Sequence, residues 1–410
     1  MAAPLPTETP ADGAPVPAGR RSWERVPLGS PVVRASREPD AGATASPTPS
    51  ATPSNHAPSP TPERASPAPV TAAASDPAEP SPPIADSASP LHAPPPASPG
   101  ATSHLLPDAI HVWQKWNNCG PATVLMAISA FGPRLDQMAV AASLKPDRED
   151  TNVTPDELAA FARSQGLAAL VRVHGDRDVV RALLRVGVPV IAEQWIDVAG
   201  RGEMGHYRVV IGFDDDRAEV VVHDSYYGAA RRHGYDDFER MWRPFAGAYV
   251  VLYLPEQEAA VRAAIGADWA DAAMWARARA DLEAAAAGAP EDPWAWVALG
   301  EVRSRQGDHA AALEAFEQAR RIGLPFRAFW YQFGYYRSAA ATGAWDRILA
   351  LADATLEGMK GENLEESRYW RGVALRHLGR EDEARADFET ALRFNPLFAS
   401  ARDALVAGPP

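Results

Sequence analysis

Cys119 stands in Gln114-Lys115-Trp116-Asn117-Asn118-Cys119-Gly120-Pro121-Ala122-Thr123 and is the one cysteine of the 410-residue chain. An apolar run, Val124-Leu125-Met126-Ala127-Ile128, follows directly and reads as a helix that begins at the thiol. The partial positive charge of a helix N-terminus favours a thiolate and lowers its pKa from the free value of ~8.5. Gln114 upstream is able to aim an amide N–H at an oxyanion. The pattern is that of a nucleophile, and a nucleophile needs a base.

A candidate base lies in Gly205-His206-Tyr207-Arg208-Val209-Val210-Ile211-Gly212-Phe213, an apolar stretch that reads as a strand. Asp214-Asp215-Asp216-Arg217 then reads as a turn, and Ala218 to His223 as a second strand ending in Asp224-Ser225-Tyr226-Tyr227-Gly228. Folding the two as a hairpin about Asp215 sets Asp224 opposite His206. Cross-strand Cβ atoms lie roughly 5 Å apart, within reach of an imidazole–carboxylate hydrogen bond. Such a carboxylate fixes the imidazole tautomer of a nucleophile–base pair. His223 is a rival base, but strand alternation turns it to the face opposite Asp224. His111, His174 and His233 read as surface or hydrogen-bonded structural histidines.

These three motifs, in this order, resemble the bacteriocin-leader-type peptidase family, a papain-fold group of cysteine peptidases, over roughly residues 108–254. The resemblance implies Cys119 as nucleophile, His206 as base, Asp224 as its orienter and Gln114 as oxyanion donor. The Gln-to-Cys gap is five residues here, against six in many papain-like enzymes.

Other chemistries lack their residues. There is no His-Glu-x-x-His and no Cys-x-x-Cys to hold zinc, and Asp214–Asp216 lacks the Gly and distant Glu of a calcium loop. No cofactor or metal is expected. No Gly-x4-Gly-Lys-Ser/Thr is present to bind ATP. The net charge of −13 argues against nucleic acid or anionic membrane as partner. No apolar run reaches the ~18 residues of a membrane span.

Residues 1–105 are dominated by Pro, Ala, Ser and Thr, with too few large apolar side chains to offset ordering entropy. They are expected to be a disordered, partly polyproline-II spacer. Spacers of this kind separate exported enzymes from anchors, and no signal segment precedes this one. The compartment is left open; an extracytoplasmic location, with the export signal upstream of the given start, is one expectation.

The middle of the chain reads as α/β. Thr154 caps a helix that has Pro155 at its first position and Glu157 three residues after the cap. Strands are expected at 168–173, 188–195 and 248–253, and a helix at 177–186. In the last third, Gly300, Gly334 and Gly372 recur with small and large residues at matching offsets (Ala312, Phe316 and Ala319; Ala384, Phe388 and Ala391). That spacing matches the tetratricopeptide repeat, a helix–turn–helix unit. Gly266 with Ala278 and Leu282 reads as a degenerate first unit, and an insertion is expected near 358–363. Helices at 294–306, 329–341 and 367–378 would line a concave face, with Trp330, Tyr331, Tyr335 and Tyr336 as candidate groove aromatics.

The fold expected is an α+β papain-like peptidase domain at 106–255, after the spacer at 1–105. An all-α tetratricopeptide-repeat solenoid at 256–410 would follow as a separable module. The function expected is hydrolysis of a peptide or protein amide by the Cys-His-Asp triad, with the repeat groove recruiting substrate or a protein partner. The alternatives are a non-catalytic interaction scaffold and a related thiol amidase or acyltransferase.

Overall fold

The computed structural model describes residues 90–325, 327–358 and 364–407. The expected spacer lies outside the described residues up to 89. From residue 90 on, the expectation is corrected. Leu91 packs against the α/β core, the His92 N–H donates to the Phe131 carbonyl at 3.0 Å, and the Ala97 N–H donates to that of Arg185 at 2.9 Å. Strand β1 (Ser103–Leu105) then pairs with the hairpin, and Leu106 is buried. The few apolar residues at this end of the Pro-rich segment find a core.

The α/β region runs α1 (Cys119–Ser129), α2 (Gln137–Leu144), α3 (Pro155–Ser164), β2 (Ala168–Arg172), α4 (Arg177–Arg185), β3 (Val190–Val198), β4 (Gly202–Asp214), β5 (Glu219–Asp224), β6 (Gly228–Gly234), α5 (Tyr235–Trp242), β7 (Tyr249–Tyr253) and α6 (Glu258–Ile265). The strands form one antiparallel sheet in the order β2-β7-β3-β4-β5-β6, with β1 beside β4. Period-2 alternation supplies two cores. Ile191, Tyr207, Val209, Val250 and Leu252 pack under α1, α2 and α3 on one face. Val190, Val210, Val222, Tyr249 and Val251 pack under α4, α5 and α6 on the other. Val261 and Ile265 of α6 thus belong to this core, past the boundary expected at 255. The capping box at α3 forms as read: Thr154 Oγ1 accepts from the Glu157 N–H, and Glu157 accepts from the Thr154 N–H.

The hairpin register differs from the expected one in an instructive way. The turn takes Asp215 to Ala218, with Asp214 paired to Glu219 and Gly212 to Val221. Ile211 is then an extra residue, and the pairing resumes as Val210–Val222 and Val209–His223. Without this bulge, the outer register would carry Asp224 opposite Val209, on the face away from His206. With it, Asp224 falls opposite Arg208, two residues from His206 on the same face. The expected direct opposition is therefore corrected to a diagonal one.

The helical region runs α7 (Asp271–Gly288), α8 (Pro293–Arg305), α9 (His309–Ile322), α10 (Gly334–Ala341), α11 (Trp345–Gly358), α12 (Glu365–His377), α13 (Glu381–Phe394) and α14 (Ala399–Ala407). Gly300 and Gly372 do the packing work read for them. A Cβ at Gly300 would fall 2.9 Å from the Phe316 ring, and one at Gly372 would fall 2.7 Å from Phe388. Gly266 is a correction. It has φ +65° in a 3-10 turn after α6, so it marks a helix end and not a helix-pair contact. The insertion expected near 358–363 lies outside the described residues from 359 to 363.

The repeats, expected to be a separable module, contact the α/β region at several points. Trp294 of α8 lies 4.5 Å, ring to ring, from Trp195 of β3, and the Gln332 amide donates to the Pro244 carbonyl at 2.8 Å. Asn152 donates to Glu366 at 2.9 Å, and Asn395 to Glu157 at 2.9 Å. Part of the expected concave face is thus occupied by the α/β region of the same chain. Tyr335 and Tyr336 are fully buried in the repeat core, Trp330 is buried, and Tyr331 packs against Trp195 and Phe245.

Candidate active site

Helix α1 begins at Cys119 as the sequence implied. Its N-cap, Asn118, makes no side-chain cap hydrogen bond, and no acidic residue sits in the first turn. The first-turn N–H groups and their partial positive charge are therefore left for an anion. The residue before the cap, Asn117, is held at φ +51°, outside the range most side chains adopt. Buried Lys145 braces that turn by donating to the Asn117 carbonyl at 3.0 Å and to the Asp150 carbonyl.

Pairing of β4 with β5 stops at Val209. Beyond that point Tyr207 pairs with Glu193 of β3 alone, and the His206 ring and the Tyr207 backbone both act to lower the Cys119 pKa. His206 Nε2 lies 3.0 Å from Asp224 Oδ1, both side chains buried. With Nε2 committed to the carboxylate, Nδ1 is the nitrogen left for the thiol.

Asp224 is surrounded by donors. Oδ1 also accepts from the Tyr226 N–H at 2.8 Å and the Tyr227 N–H at 2.9 Å, and Oδ2 accepts from Arg208 Nε at 2.6 Å. Arg208 in turn donates to Gln194 Oε1 at 2.7 Å, and the Gln194 amide donates to the Phe238 carbonyl at 2.9 Å. Gln114 stands beside this group. Its Oε1 accepts from Ser225 Oγ at 2.8 Å and its backbone N–H donates to the Ser225 carbonyl at 2.8 Å, which leaves its amide NH2 as a donor.

The electrostatics follow from these contacts. Burial raises the Cys119 pKa, but the His206 hydrogen bond and the charges of His206 and Lys145 outweigh it, and the thiol is lowered overall. Burial lowers the His206 pKa, and the bonds to Asp224 and Cys119 overcome it, pushing the ring up to about 9. Burial disfavours the Asp224 carboxylate, yet His206 and Arg208 hold it well below the usual carboxylate range. A thiolate–imidazolium pair is the state these shifts favour.

The rival base is occupied elsewhere. His223 Nδ1 accepts from the Ala230 N–H and Nε2 donates to the Ala109 carbonyl, each at 3.1 Å. Burial lowers its pKa. His111 Nε2 contacts the Asp224 carbonyl at 2.9 Å, and His174 lies between Asp268 and Asp281 at 2.7 and 2.8 Å. His233 is partly buried and lowered chiefly by burial. Among the described residues no group of His, Cys, Asp and Glu has metal-site geometry.

Sequence reasoning missed Arg208, Ser225 and Lys145. The signal for Arg208 was available: a charged residue two past the base shares its strand face. Ser225 adjoins Asp224 and was quoted without a role. Lys145 reaches the nucleophile turn from the end of α2, a contact with no local signature.

Comparison with known proteins agrees with this architecture. Residues 107–250 match the Peptidase_C39 like family, and residues 295–322 and 365–398 match tetratricopeptide repeat families. The chain thus carries a Peptidase_C39-like domain followed by tetratricopeptide repeats. The chain is 36% identical over 102 residues to tetratricopeptide repeat protein 36 of Bos taurus (24% of this chain, 52% of that protein). It is 38% identical over 104 residues to the Homo sapiens protein of that name (24% and 53%). The chain spans about half the length of these curated relatives. Among solved structures it resembles a C39-like peptidase from Bacillus anthracis (TM-score 0.31, 14% identity, 37% of this chain and 96% of that one). It also resembles the peptidase domain of Streptococcus ComA, a bifunctional ABC transporter (TM-score 0.30, 16% identity, 36% and 98%). A third is a double-glycine-motif protease from an AMS/PCAT transporter in complex with its leader peptide (TM-score 0.27, 18% identity, 35% and 89%). No described helix is long and apolar enough to cross a membrane.

Proposed function

We propose that the protein is a thiol-dependent peptidase acting on a peptide or protein amide bond. The observation that carries the reading is the buried His206, whose Nε2 lies 3.0 Å from Asp224 Oδ1 and whose ring acts to lower the pKa of the Cys119 thiol at the start of α1. The Cys119 thiolate attacks the amide carbon while His206 holds the proton. The Cys119 backbone N–H and the Gln114 amide stabilise the oxyanion. His206 then gives its proton to the leaving amine, and a thioester remains. Water, deprotonated by His206, attacks the thioester, releasing the acid and the thiol. Asp224 keeps the ring in the productive tautomer throughout. A thiol amidase or acyltransferase would use the same residues with a different acceptor.

In this reading the catalytic domain spans about 90–265 and the repeats recruit substrate or a protein partner. One observation favours the scaffold alternative: the α/β region lies on the repeat face through Trp195 and Pro244, so the repeats already hold a partner within the chain. Labelling with a peptidyl thiol-directed electrophile decides between them. The peptidase reading expects stoichiometric, rapid modification of Cys119 that is lost in His206→Ala. Equal slow labelling of both proteins, at the rate of a free thiol, would leave the scaffold reading standing.

A further inference from the structure

We infer that Arg208 is a positioning residue that tunes the base through Asp224, an inference that rests on the triad reading above. Arg208, Asp224 and Gln194 are each buried to within 3% of full burial, far from the exposed ion pairs that contribute little. A buried cation costs several kcal/mol to desolvate unless its partners are placed well. Here Nε meets Asp224 Oδ2 at 2.6 Å and a terminal N–H meets Gln194 Oε1 at 2.7 Å. The Gln194 amide is itself pinned to the Phe238 carbonyl at 2.9 Å, so the guanidinium fork has one orientation.

The two oxygens of Asp224 therefore have different duties. Oδ1 takes His206 Nε2 and the N–H groups of Tyr226 and Tyr227, and Oδ2 takes Arg208. Arg208 blocks rotation of the carboxylate. It also places a permanent positive charge on the anion that stabilises the imidazolium. Two cations sharing one carboxylate each gain less from it than either would alone. The other titratable groups facing this pair are Cys119 on α1, Tyr227 after β5, His233 on β6, and His111 at the Asp224 carbonyl. Tyr227 and His233 are shifted toward their neutral forms, and Cys119 is, after Asp224, the group that acts most on His206. Arg208 thus restrains the affinity of His206 for its proton, which a base that must return that proton to a leaving amine requires.

The test is the pH profile of Cys119 alkylation and of peptide turnover in the full chain. Arg208→Gln removes the charge, while the backbone N–H groups still hold Asp224 beside His206. The alkaline limb should move up by about one pH unit and turnover should fall about tenfold. Arg208→Lys keeps the charge without the fork. Its alkaline limb should stay near that of wild type, with a smaller loss of turnover. Gln194→Glu guards against a poorly folded Arg208→Gln. It draws the guanidinium off Asp224 and should move the limb in the same upward direction. The inference is overturned if Arg208→Gln and Gln194→Glu superimpose on wild type, or if Arg208→Lys shifts as far as Arg208→Gln. A wild-type inflection at the free-thiol value would overturn the triad reading itself, so the two failures are distinguishable.

Discussion

Gly205 lies against the ring of Tyr331, so close that a Cβ there would fall 2.9 Å from the ring. The residue before the base is thus in contact with the repeat region. On the other side of the site, Glu366 accepts from Asn152, in the loop that Lys145 ties to the nucleophile turn. The repeats thus touch both the residue before His206 and the loop tied to the turn before Cys119. Gly205→Ala should cost about 1–3 kcal/mol through overpacking and slow Cys119 labelling as His206 shifts. Thermal melting and alkylation rate measured together check this. A melting loss with unchanged labelling would show that the contact is purely structural.

The thiolate–imidazolium pair predicts a plateau. Cys119 is lowered, so thiolate appears below the free-thiol value of ~8.5, and His206 is raised to about 9, so the pair persists until the ring deprotonates there. Iodoacetamide alkylation should rise through a first inflection below pH 8.5 and show a second near 9. His206→Ala should collapse both into a single inflection at or above the free value, because burial then acts on the thiol without its partner.

Asp224→Asn should be nearly as damaging as Asp224→Ala. Every group around the carboxylate is a donor: the His206 ring and two backbone N–H groups at Oδ1 and the guanidinium at Oδ2. An amide must turn its NH2 toward one of them and lose that contact. Turnover should fall about 10³–10⁴-fold in both variants. His223→Ala, which loses only structural bonds on the other face, should keep turnover within about tenfold once its folding is confirmed by circular dichroism.

The docking of the last repeat should weaken as pH rises. Asp150, Glu157, Glu365 and Glu366 share a buried junction, with Lys145 as a cation beside Asp150 and Glu149 near that lysine. Burial raises all four carboxyls, Glu365 to about 7. Groups whose folded pKa is raised bind more protons folded than unfolded, so stability is lost as pH climbs from the ordinary carboxylate range through the raised values. The melting temperature should decline from about pH 5 to pH 8, and Glu366→Gln should flatten that decline. A melting temperature independent of pH across the window would contradict the placement of these groups.

The positions of the Cys119 helix and the His206 strand were legible because their causes are local. An apolar run after Cys119 starts a helix, and alternation over 205–213 makes a strand, so Cys119 and His206 could be placed on their elements from type and spacing alone. The Gly-to-Phe packing of the repeats was legible for the same reason: Gly300 with Phe316 and Gly372 with Phe388 recur at fixed offsets.

The pairing of Asp224 with His206 was reached by counting about a turn that the chain does not form. It survived because the longer turn and the bulge at Ile211 together shift the register by two, an even number, which preserves the face. A bulge leaves no mark in period or composition, since it is selected by how the sheet must twist over its cores. The coordination of Asp224 by Arg208, the bracing of Asn117 by Lys145 and the seating of the repeats on Trp195 were decided only when distant segments met. Desolvation and charge pairing at those contacts depend on which groups become neighbours, and one-dimensional spacing carries no record of that. The sequence by itself therefore determined the candidate residues and the elements that carry them, and the tertiary structure decided which neighbours surround them.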